Sequence, residues 1–182
     1  MIIAIIPAKG YSKRLPNKNM RLLLGKPMLE YAIDYAEASN KVSRIYLSTD
    51  NESIAEFGKN RGVEVIIRSK DLGGETPLVD VYKHAIASKN MQGVNTIIGV
   101  QPDHPDRTVS LDKALKIFIN DGLDLLYSKD LSGNKNGAHH IMSYYGLINN
   151  QFELTDFIID DCTNIHYKSD LINAEKNLLL NK

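Results

Sequence analysis

The sequence predicts a doubly wound α/β domain whose sheet is mostly parallel and covered by helices on both faces. Two observations support this prediction. Short apolar runs of strand length alternate with longer segments in which apolar residues recur three and four positions apart. The predicted strands are Ile2–Ile6, Arg44–Ser48, Val63–Ile67, Thr96–Val100 and Leu123–Tyr127. The helices predicted between them are Met28–Ala38, Glu52–Asn60, Leu78–Ser88 and Leu111–Ile119.

Each of these elements has a local reason. The first run, Ile2–Ile6, is apolar at every position, as expected for a strand buried on both faces. The helix that follows carries its apolar residues on one face: Leu29, Ala32, Ile33 and Ala36. The next helix ends at Arg61, and the glycine after it is typical of a helix end.

The pattern is less regular beyond Asp130. The sequence predicts a turn-rich stretch from Ser132 to Gly137, a strand over Ile141–Ile148 and a closing helix over Lys168–Leu180. No internal repeat or long linker divides the chain. We therefore expect a single domain over residues 1–182, in which 130–167 is a small addition.

Composition restricts the classes of function. The chain has 182 residues, is 43% hydrophobic and has a formal net charge of zero, so we expect no nucleic acid and no membrane as partner. The single cysteine, Cys162, excludes an internal disulfide. The apolar start, Met1–Pro7, is much shorter than the roughly 20 residues that span a bilayer. We expect a cytoplasmic protein.

The loop after the first strand is rich in cationic residues. Because ligands of open α/β sheets lie beyond the carboxyl ends of the strands, this loop is a candidate binding site. Gly10 allows a close backbone turn, and Ser12 offers a hydroxyl. The combination of amides, a hydroxyl and several cations suits a triphosphate. The cations are Lys9, Lys13, Arg14, Lys18, Arg21 and Lys26.

Two common phosphate-binding motifs do not occur in the chain. Gly25-Lys26 is followed by Pro27, so the pair does not complete a P-loop, and no G-x-G-x-x-G follows the first strand. The alternative to a binding loop is a solvated basic surface loop, which is what a run of charges usually is.

The same residues carry a family resemblance. The chain resembles the acylneuraminate and 3-deoxy-manno-octulosonate cytidylyltransferases, whose pattern is I-P-A-R-x-G-S-K-x-[IL]-P-x-K-N followed by L-x-G-K-P-[LM]. The matching stretches here are Ile6–Asn19 and Leu24–Met28. Weaker matches follow at Leu47–Asp50, Arg68, Gln101–Thr108 and Ser169–Glu175. The resemblance implies a Rossmann-like nucleotidyltransferase fold of the GT-A-like type.

The resemblance also implies an activity: transfer of CMP from CTP to an acidic 2-keto sugar for surface glycan synthesis, with Mg²⁺ as cofactor and release of pyrophosphate. Lys9 and Lys18 correspond to catalytic cations on the phosphates, and Asp103 to a catalytic aspartate that binds the metal. Gln101 is suited to read a base edge. The positions that correspond to nucleotide-binding residues are Ala8, Lys9, Gly10, Ser12, Lys18, Asn19, Arg68 and Gln101.

Some positions depart from the family pattern. Lys9 replaces an arginine and Tyr11 a glycine. The family's metal-binding Asp-x-Asp corresponds here to Asn164 and His166, and neutral ligands suit Mg²⁺ poorly. Either Asp103 with the triphosphate suffices, or Asp160 or Asp161 replaces the missing pair, or activity is lost. The family's projecting arm, which builds its dimer, is reduced around Ser132–Gln151; a homodimer remains an expectation.

Several residues also have a structural interpretation. Asp50 is expected to cap the helix that starts after it, and His104 to lie in a loop. His139 and His140 point to opposite faces of any strand, so they form a poor metal pair. Three functions remain in competition: the cytidylyltransferase, another nucleotide-sugar pyrophosphorylase of the same fold, and a catalytically impaired nucleotide-binding relative.

Overall fold

A computed structural model describes residues 1–73 and 76–180 of the chain. The strands are β1 (Ile2–Pro7), β2 (Leu22–Leu23), β3 (Lys26–Pro27), β4 (Arg44–Thr49), β5 (Glu64–Ile67), β6 (Thr96–Gly99), β7 (Leu125–Lys129), β8 (Lys135–Ser143) and β9 (Thr155–Ile159). The helices are α1 (Met28–Glu37), α2 (Glu52–Asn60), α3 (Leu78–Ser88), α4 (Leu111–Asn120), α5 (Tyr144–Asn149) and α6 (Lys168–Leu180). Short 3₁₀ turns occupy Lys18–Met20 and Lys70–Leu72.

In the described ranges, seven strands form one mixed sheet in the order β5-β4-β1-β6-β8-β7-β9. The first four of these are parallel, β8 runs antiparallel to both of its neighbours, and β9 is parallel to β7. The predicted α/β class and the mostly parallel sheet are therefore confirmed. Because β1, β4 and β6 point the same way, the loops that leave them meet at one edge of the sheet.

The core lies on both faces of β1, whose residues alternate between them. Ala4 and Ile6 pack with α1 and α4, whereas Ile3 and Ile5 pack against α3 through Tyr82. These four β1 side chains are fully buried. A strand buried in this way fixes its own carboxyl end, from which the cationic loop departs.

The prediction of a strand over Ile141–Ile148 is wrong in its second half. Strand β8 ends at Ser143, whose hydroxyl accepts a hydrogen bond from the Gly146 N–H and so begins α5. Asn150 ends that helix in the left-handed conformation, with φ 54°. The predicted turn over Ser132–Gly137 is also shorter than expected, because β8 already starts at Lys135. The remaining predicted strands and helices form, with ends shifted by up to two residues.

No helix in residues 1–73 or 76–180 combines the length and apolar character needed to span a bilayer.

Candidate nucleotide site

A cavity of about 250 Å³ lies at the edge of the sheet where β1, β5 and β6 end. It contains much of the predicted site, although its residues come from distant parts of the sequence. Arg14, one of the cations of the loop, also lines the cavity, and so does His166, which stands where the family has a metal-binding aspartate. The predicted residues that line the cavity are Lys9, Lys18, Asn19, Arg68, Gln101 and Asp103.

Lys18 and Asp103 form an ion pair within this cavity. Lys18 Nζ donates to Asp103 Oδ2 over 2.6 Å and to the Ile165 carbonyl over 3.2 Å. The residue before Lys18, Asn17, has φ 55°, and this left-handed turn starts the 3₁₀ segment that carries the lysine inward. The Asp103 carbonyl in turn accepts from the Ile165 N–H. Three distant segments are thus joined around one charge pair.

Asn19 closes the cationic loop on itself. Its Nδ2 donates to the Lys9 carbonyl over 2.8 Å, and the side chain is buried. The amide therefore sets the spacing between the two lysines predicted to contact phosphate, Lys9 and Lys18. Asn19 lies at the cavity as predicted, and its hydrogen bond shows that it also shapes the loop.

The loop is anchored to the end of β4 through Gly10. The Gly10 N–H donates to Asp50 Oδ1 over 2.7 Å. A Cβ at position 10 would lie 2.6 Å from the Asn51 Cβ, so only glycine fits there. The expectation that Asp50 caps α2 is wrong: Asn51 is the cap, because its Oδ1 accepts from the Ile54 N–H. Asp50 instead holds the loop.

Ala8 and Ser12 lie outside the described lining of the cavity. Ala8 is fully buried, and its N–H donates to the Ser48 carbonyl, so that it extends the pairing between β1 and β4. Ser12 is half-buried within the same loop. Contact of either residue with a nucleotide stays a prediction.

Arg68 is a buried cation with unused donors. It follows β5, is 5% exposed, and its Nε and Nη1 atoms have no hydrogen-bond partner. Burial lowers the pKa of its guanidinium, and the nearby Asp50 carboxylate opposes that effect. Buried donors without partners are costly, and an anion in the cavity would satisfy them.

Gln101 is held in place by two neighbours. Its side-chain Nε2 donates to the Gly137 carbonyl over 3.1 Å. Its backbone carbonyl accepts from Arg107 Nη2 over 2.6 Å. Arg107 also donates to the carbonyls of His104 and Ala138 and lies over the Tyr35 ring. No sequence signal indicates this role of Arg107, because its hydrogen-bond partners are backbone atoms brought together by the fold.

Arg14 and His166 form a second pair at the cavity. Arg14 Nη2 and His166 Nδ1 are 3.0 Å apart, although the residues are 152 positions apart in the chain. The pKa of His166 is lowered, first by burial and then by Arg14 and Lys18. Asn164, two residues earlier, donates to the Asn136 carbonyl.

The acidic residues near this pair are engaged elsewhere. Asp160 is fully buried and accepts hydrogen bonds from His139 Nε2, from Thr108 and from the Val109 N–H. Burial raises its pKa, but these hydrogen bonds outweigh that effect and the pKa lies below its ordinary value. Asp160 lies outside the described lining of the cavity, so its replacement of a metal ligand stays a prediction. Asp161 accepts from the Leu131 N–H.

The histidines near the cavity support the fold. His104 lies in a loop, as predicted, and it is 1% exposed, with Nε2 2.6 Å from the Asn136 carbonyl oxygen. His139 and His140 lie on opposite faces of β8 as predicted: His139 contacts Tyr35, and His140 contacts Tyr82.

The sequence model of the cytidylyltransferase family matches residues 3–117, which is more than half of the chain and includes the loop, Arg68 and Asp103. The chain belongs to the cytidylyltransferase family. Curated relatives include the CMP-N,N'-diacetyllegionaminic acid synthase of Legionella pneumophila, 45% identical over 76 residues, or 41% of this chain and 33% of that protein. The 3-deoxy-manno-octulosonate cytidylyltransferase of Synechococcus elongatus is 34% identical over 114 residues, 63% of this chain and 45% of that protein. The matches thus span less than half of either relative.

Solved structures support the same fold for this cytidylyltransferase family member. A CMP:2-keto-3-deoxy-manno-octonic acid synthetase complexed with CTP superposes with a TM-score of 0.74 at 13% identity, over 100% of this chain and 99% of that one. HddC from Yersinia pseudotuberculosis superposes with a TM-score of 0.71 at 18% identity, over 98% and 100% of the two chains. At these identities the likeness concerns the fold alone.

Cytidylyltransferases typically use a divalent metal, and the donor set here bears on that. Asp103 is the single carboxylate among the described residues that line the cavity. Within residues 1–73 and 76–180, no group of three or more histidine, cysteine or acidic side chains could hold a metal ion. Mg²⁺ is commonly bound by one or two carboxylates together with substrate phosphates. The residues therefore fit a metal that arrives with a nucleotide.

Proposed function

We propose that the protein transfers the CMP group of CTP to the hydroxyl of an acidic 2-keto sugar and releases pyrophosphate, for surface glycan biosynthesis. One observation carries this proposal: the motif residues Lys9, Lys18 and Asn19 line one cavity together with Arg68 and Asp103. Membership of the cytidylyltransferase family supports the same reaction.

The cations account for the phosphoryl transfer. Negative charge spreads over the phosphate oxygens as the bond to pyrophosphate breaks, and positioned cations stabilise it. We assign this role to Lys9 and Lys18, with the unpartnered donors of Arg68 on the same polyphosphate. Asp103 fixes the direction of the Lys18 ammonium before the nucleotide arrives, so little reorganisation is needed during the reaction.

Gln101 is the proposed base reader. Its Nε2 is oriented by the Gly137 carbonyl, which leaves Oε1 as an acceptor for an exocyclic amine. Cytosine offers such an amine at N4, whereas uracil has a carbonyl oxygen there, which Oε1 would repel. Gln101 therefore favours CTP over UTP. We expect Gln101→Leu to lose this preference, because leucine offers no acceptor.

We propose Mg²⁺ as the cofactor and Asp103 as its protein ligand, together with phosphate oxygens of the nucleotide. When bound, the ion neutralises charge on the reacting phosphates. Lys9, Lys18 and Arg68 orient the polyphosphate independently of it.

We also propose that the acceptor is a nonulosonic or octulosonic acid, because the named relatives act on sugars of that kind. A single domain over residues 1–182 and a homodimer remain proposals. In the described part of the 130–167 region, β8 and β9 join the main sheet.

The test is pyrophosphate release with CTP, Mg²⁺ and a panel of nonulosonic and octulosonic acids. We expect turnover with at least one sugar, loss of about 100-fold in Lys18→Met, and wild-type rates in the exposed control Lys116→Gln. CTP binding without turnover across the panel would contradict the proposal. If Asn164→Asp with His166→Asp did not restore turnover either, the impaired nucleotide-binding relative would be favoured.

A second candidate is another nucleotide-sugar pyrophosphorylase of the same fold. HddC was also solved with GMP-PN, and that chain superposes with a TM-score of 0.70 at 18% identity. Thermal-shift measurements with CTP, UTP, GTP and ATP separate the two functions, because a ligand that binds only the folded state raises the melting temperature. A larger shift with GTP than with CTP would favour this second function.

A further inference from the structure

The pair Arg14–His166 occupies the part of the cavity where a metal-binding carboxylate is expected from the family pattern. His166 lines the cavity together with Arg14, Lys18 and Asp103. Arg14 is also placed by Tyr167, since its guanidinium carbon lies 5.6 Å from the centre of that ring. A cation therefore stands beside a neutral histidine at this position instead of two acidic groups.

The contact between the two side chains fixes the state of the histidine. A guanidinium has only donors, so His166 Nδ1 must accept from Arg14 Nη2 across their 3.0 Å separation. The ring is then neutral with its proton on Nε2, which makes Nε2–H a donor. The pair as a whole presents donors and one positive charge, a combination that binds phosphate and disfavours a metal ion.

The charges of the whole cavity agree with this. Four cationic side chains line its described part, Lys9, Arg14, Lys18 and Arg68, against the single carboxylate of Asp103. That carboxylate is already paired with Lys18. The side chains of the described lining thus provide an excess of positive charge that attracts a polyphosphate.

We propose that Arg14 and His166 form a polyphosphate-binding pair, so that the protein binds pyrophosphate and the terminal phosphates of a nucleotide without requiring a divalent metal. This inference rests on the proposed function for the identity of the nucleotide, but not for pyrophosphate itself. Mg²⁺ then contributes to transfer more than to binding.

The experiment is calorimetric titration of the full chain with sodium pyrophosphate and with CTP, each in EDTA and in Mg²⁺. We expect wild-type affinities for pyrophosphate in EDTA and in Mg²⁺ to agree within about threefold, and Arg14→Gln to weaken binding in EDTA about tenfold. His166→Asp places a carboxylate beside the phosphates, so it should abolish binding in EDTA and leave binding that depends on Mg²⁺. The control Lys116→Gln removes one exposed charge from α4 and should bind as wild type does.

Binding of pyrophosphate by the wild type in Mg²⁺ only would overturn the inference, as would unchanged EDTA affinities in both Arg14→Gln and His166→Asp. Arg14 is exposed, so its variant tests the idea even if His166→Asp fails to fold. Pyrophosphate binding in EDTA without CMP transfer would sink the proposed function and leave this inference standing. CMP transfer with binding strictly dependent on Mg²⁺ would do the reverse.

Discussion

Lys18 Nζ lies 2.6 Å from Asp103 Oδ2, although the two residues are 85 positions apart in the chain. The side chains are 9% and 18% exposed, so water screens the pair only weakly. The two partners are not equivalent, because Lys18 has a second acceptor in the Ile165 carbonyl. Removing the lysine leaves the Asp103 carboxylate without its ion-pair partner, whereas Asp103→Asn leaves the ammonium with two hydrogen-bond acceptors, the new amide oxygen and the Ile165 carbonyl.

That asymmetry gives the first prediction. Lys18→Met leaves the Asp103 carboxylate without its counter-charge and should lower the free energy of unfolding by about 3 kcal/mol at neutral pH. Asp103→Asn keeps an oxygen acceptor for Lys18 and should cost about 1 kcal/mol or less. Urea unfolding of the two variants measures the difference.

The double variant Lys18→Met with Asp103→Asn provides the control. Because it removes both charges, it should be more stable than Lys18→Met alone, a coupling expected only between contacting residues. Equal destabilisation by the two single variants, or strict additivity in the double variant, would show that the ion pair does not hold these segments together.

The second prediction separates Asp50 from its neighbour Asn51. Asp50→Ala removes the acceptor of the Gly10 N–H, so the loop loosens and CTP affinity should fall about tenfold. Asn51→Ala removes the α2 cap and should cost about 1 kcal/mol of stability while leaving CTP affinity near wild type. Calorimetry and thermal melting of both variants measure the two effects. The reverse pattern would restore Asp50 as a structural cap.

Local pattern was enough to predict the central sheet and the cationic loop. β1 is apolar throughout, and the spacing of Lys9, Lys18 and Asn19 follows a long ordered motif, so their placement at one cavity needed no tertiary information. Strand β8 shows where local pattern fails, because a short apolar run is compatible with either a strand or a short helix. The boundary is set by Ser143, which caps the helix that follows.

The parts that the sequence did not predict depend on long-range geometry. Arg14 meets His166 across 152 positions, and Arg107 binds backbone carbonyls, which carry no residue signature. Asp50 and Asn51 are both good caps, so composition alone could not tell which residue serves the helix and which serves the loop. The tertiary arrangement determines which of the two residues takes each role.

The third prediction concerns the unused donors of Arg68. Arg68→Met keeps a long apolar stem and removes buried nitrogens that lack partners, so the ligand-free protein should melt about 2–4 °C higher. CTP affinity should fall about tenfold or more, because a buried charge on the phosphates is lost. Thermal melting with and without CTP measures both. A lower melting temperature of the ligand-free variant would mean that Arg68 stabilises the fold, which would contradict the idea that its unpartnered donors serve a ligand.

The fourth prediction is a loss of stability in mild acid. Burial lowers the pKa of His140 to about 4, and burial together with Arg107 holds the pKa of His104 well below its ordinary value. Both rings stay neutral in the folded protein, whereas the unfolded chain takes up protons below about pH 6.5. The contribution of these histidines to the free energy of unfolding is therefore fully present above that pH and is lost as the pH drops toward 4.

For His140 alone, the free energy of unfolding should fall by about 2 kcal/mol between pH 7.5 and pH 5, since each pKa unit is worth about 1.4 kcal/mol. Urea unfolding at the two pH values measures this loss. His140→Gln removes the titrating ring and should shrink the difference between the two pH values by about the same amount, whatever its effect on stability at pH 7.5. An unchanged difference in the variant would show that His140 ionises equally in both states, and would place the acid sensitivity on His104 and the pair His139–Asp160 instead.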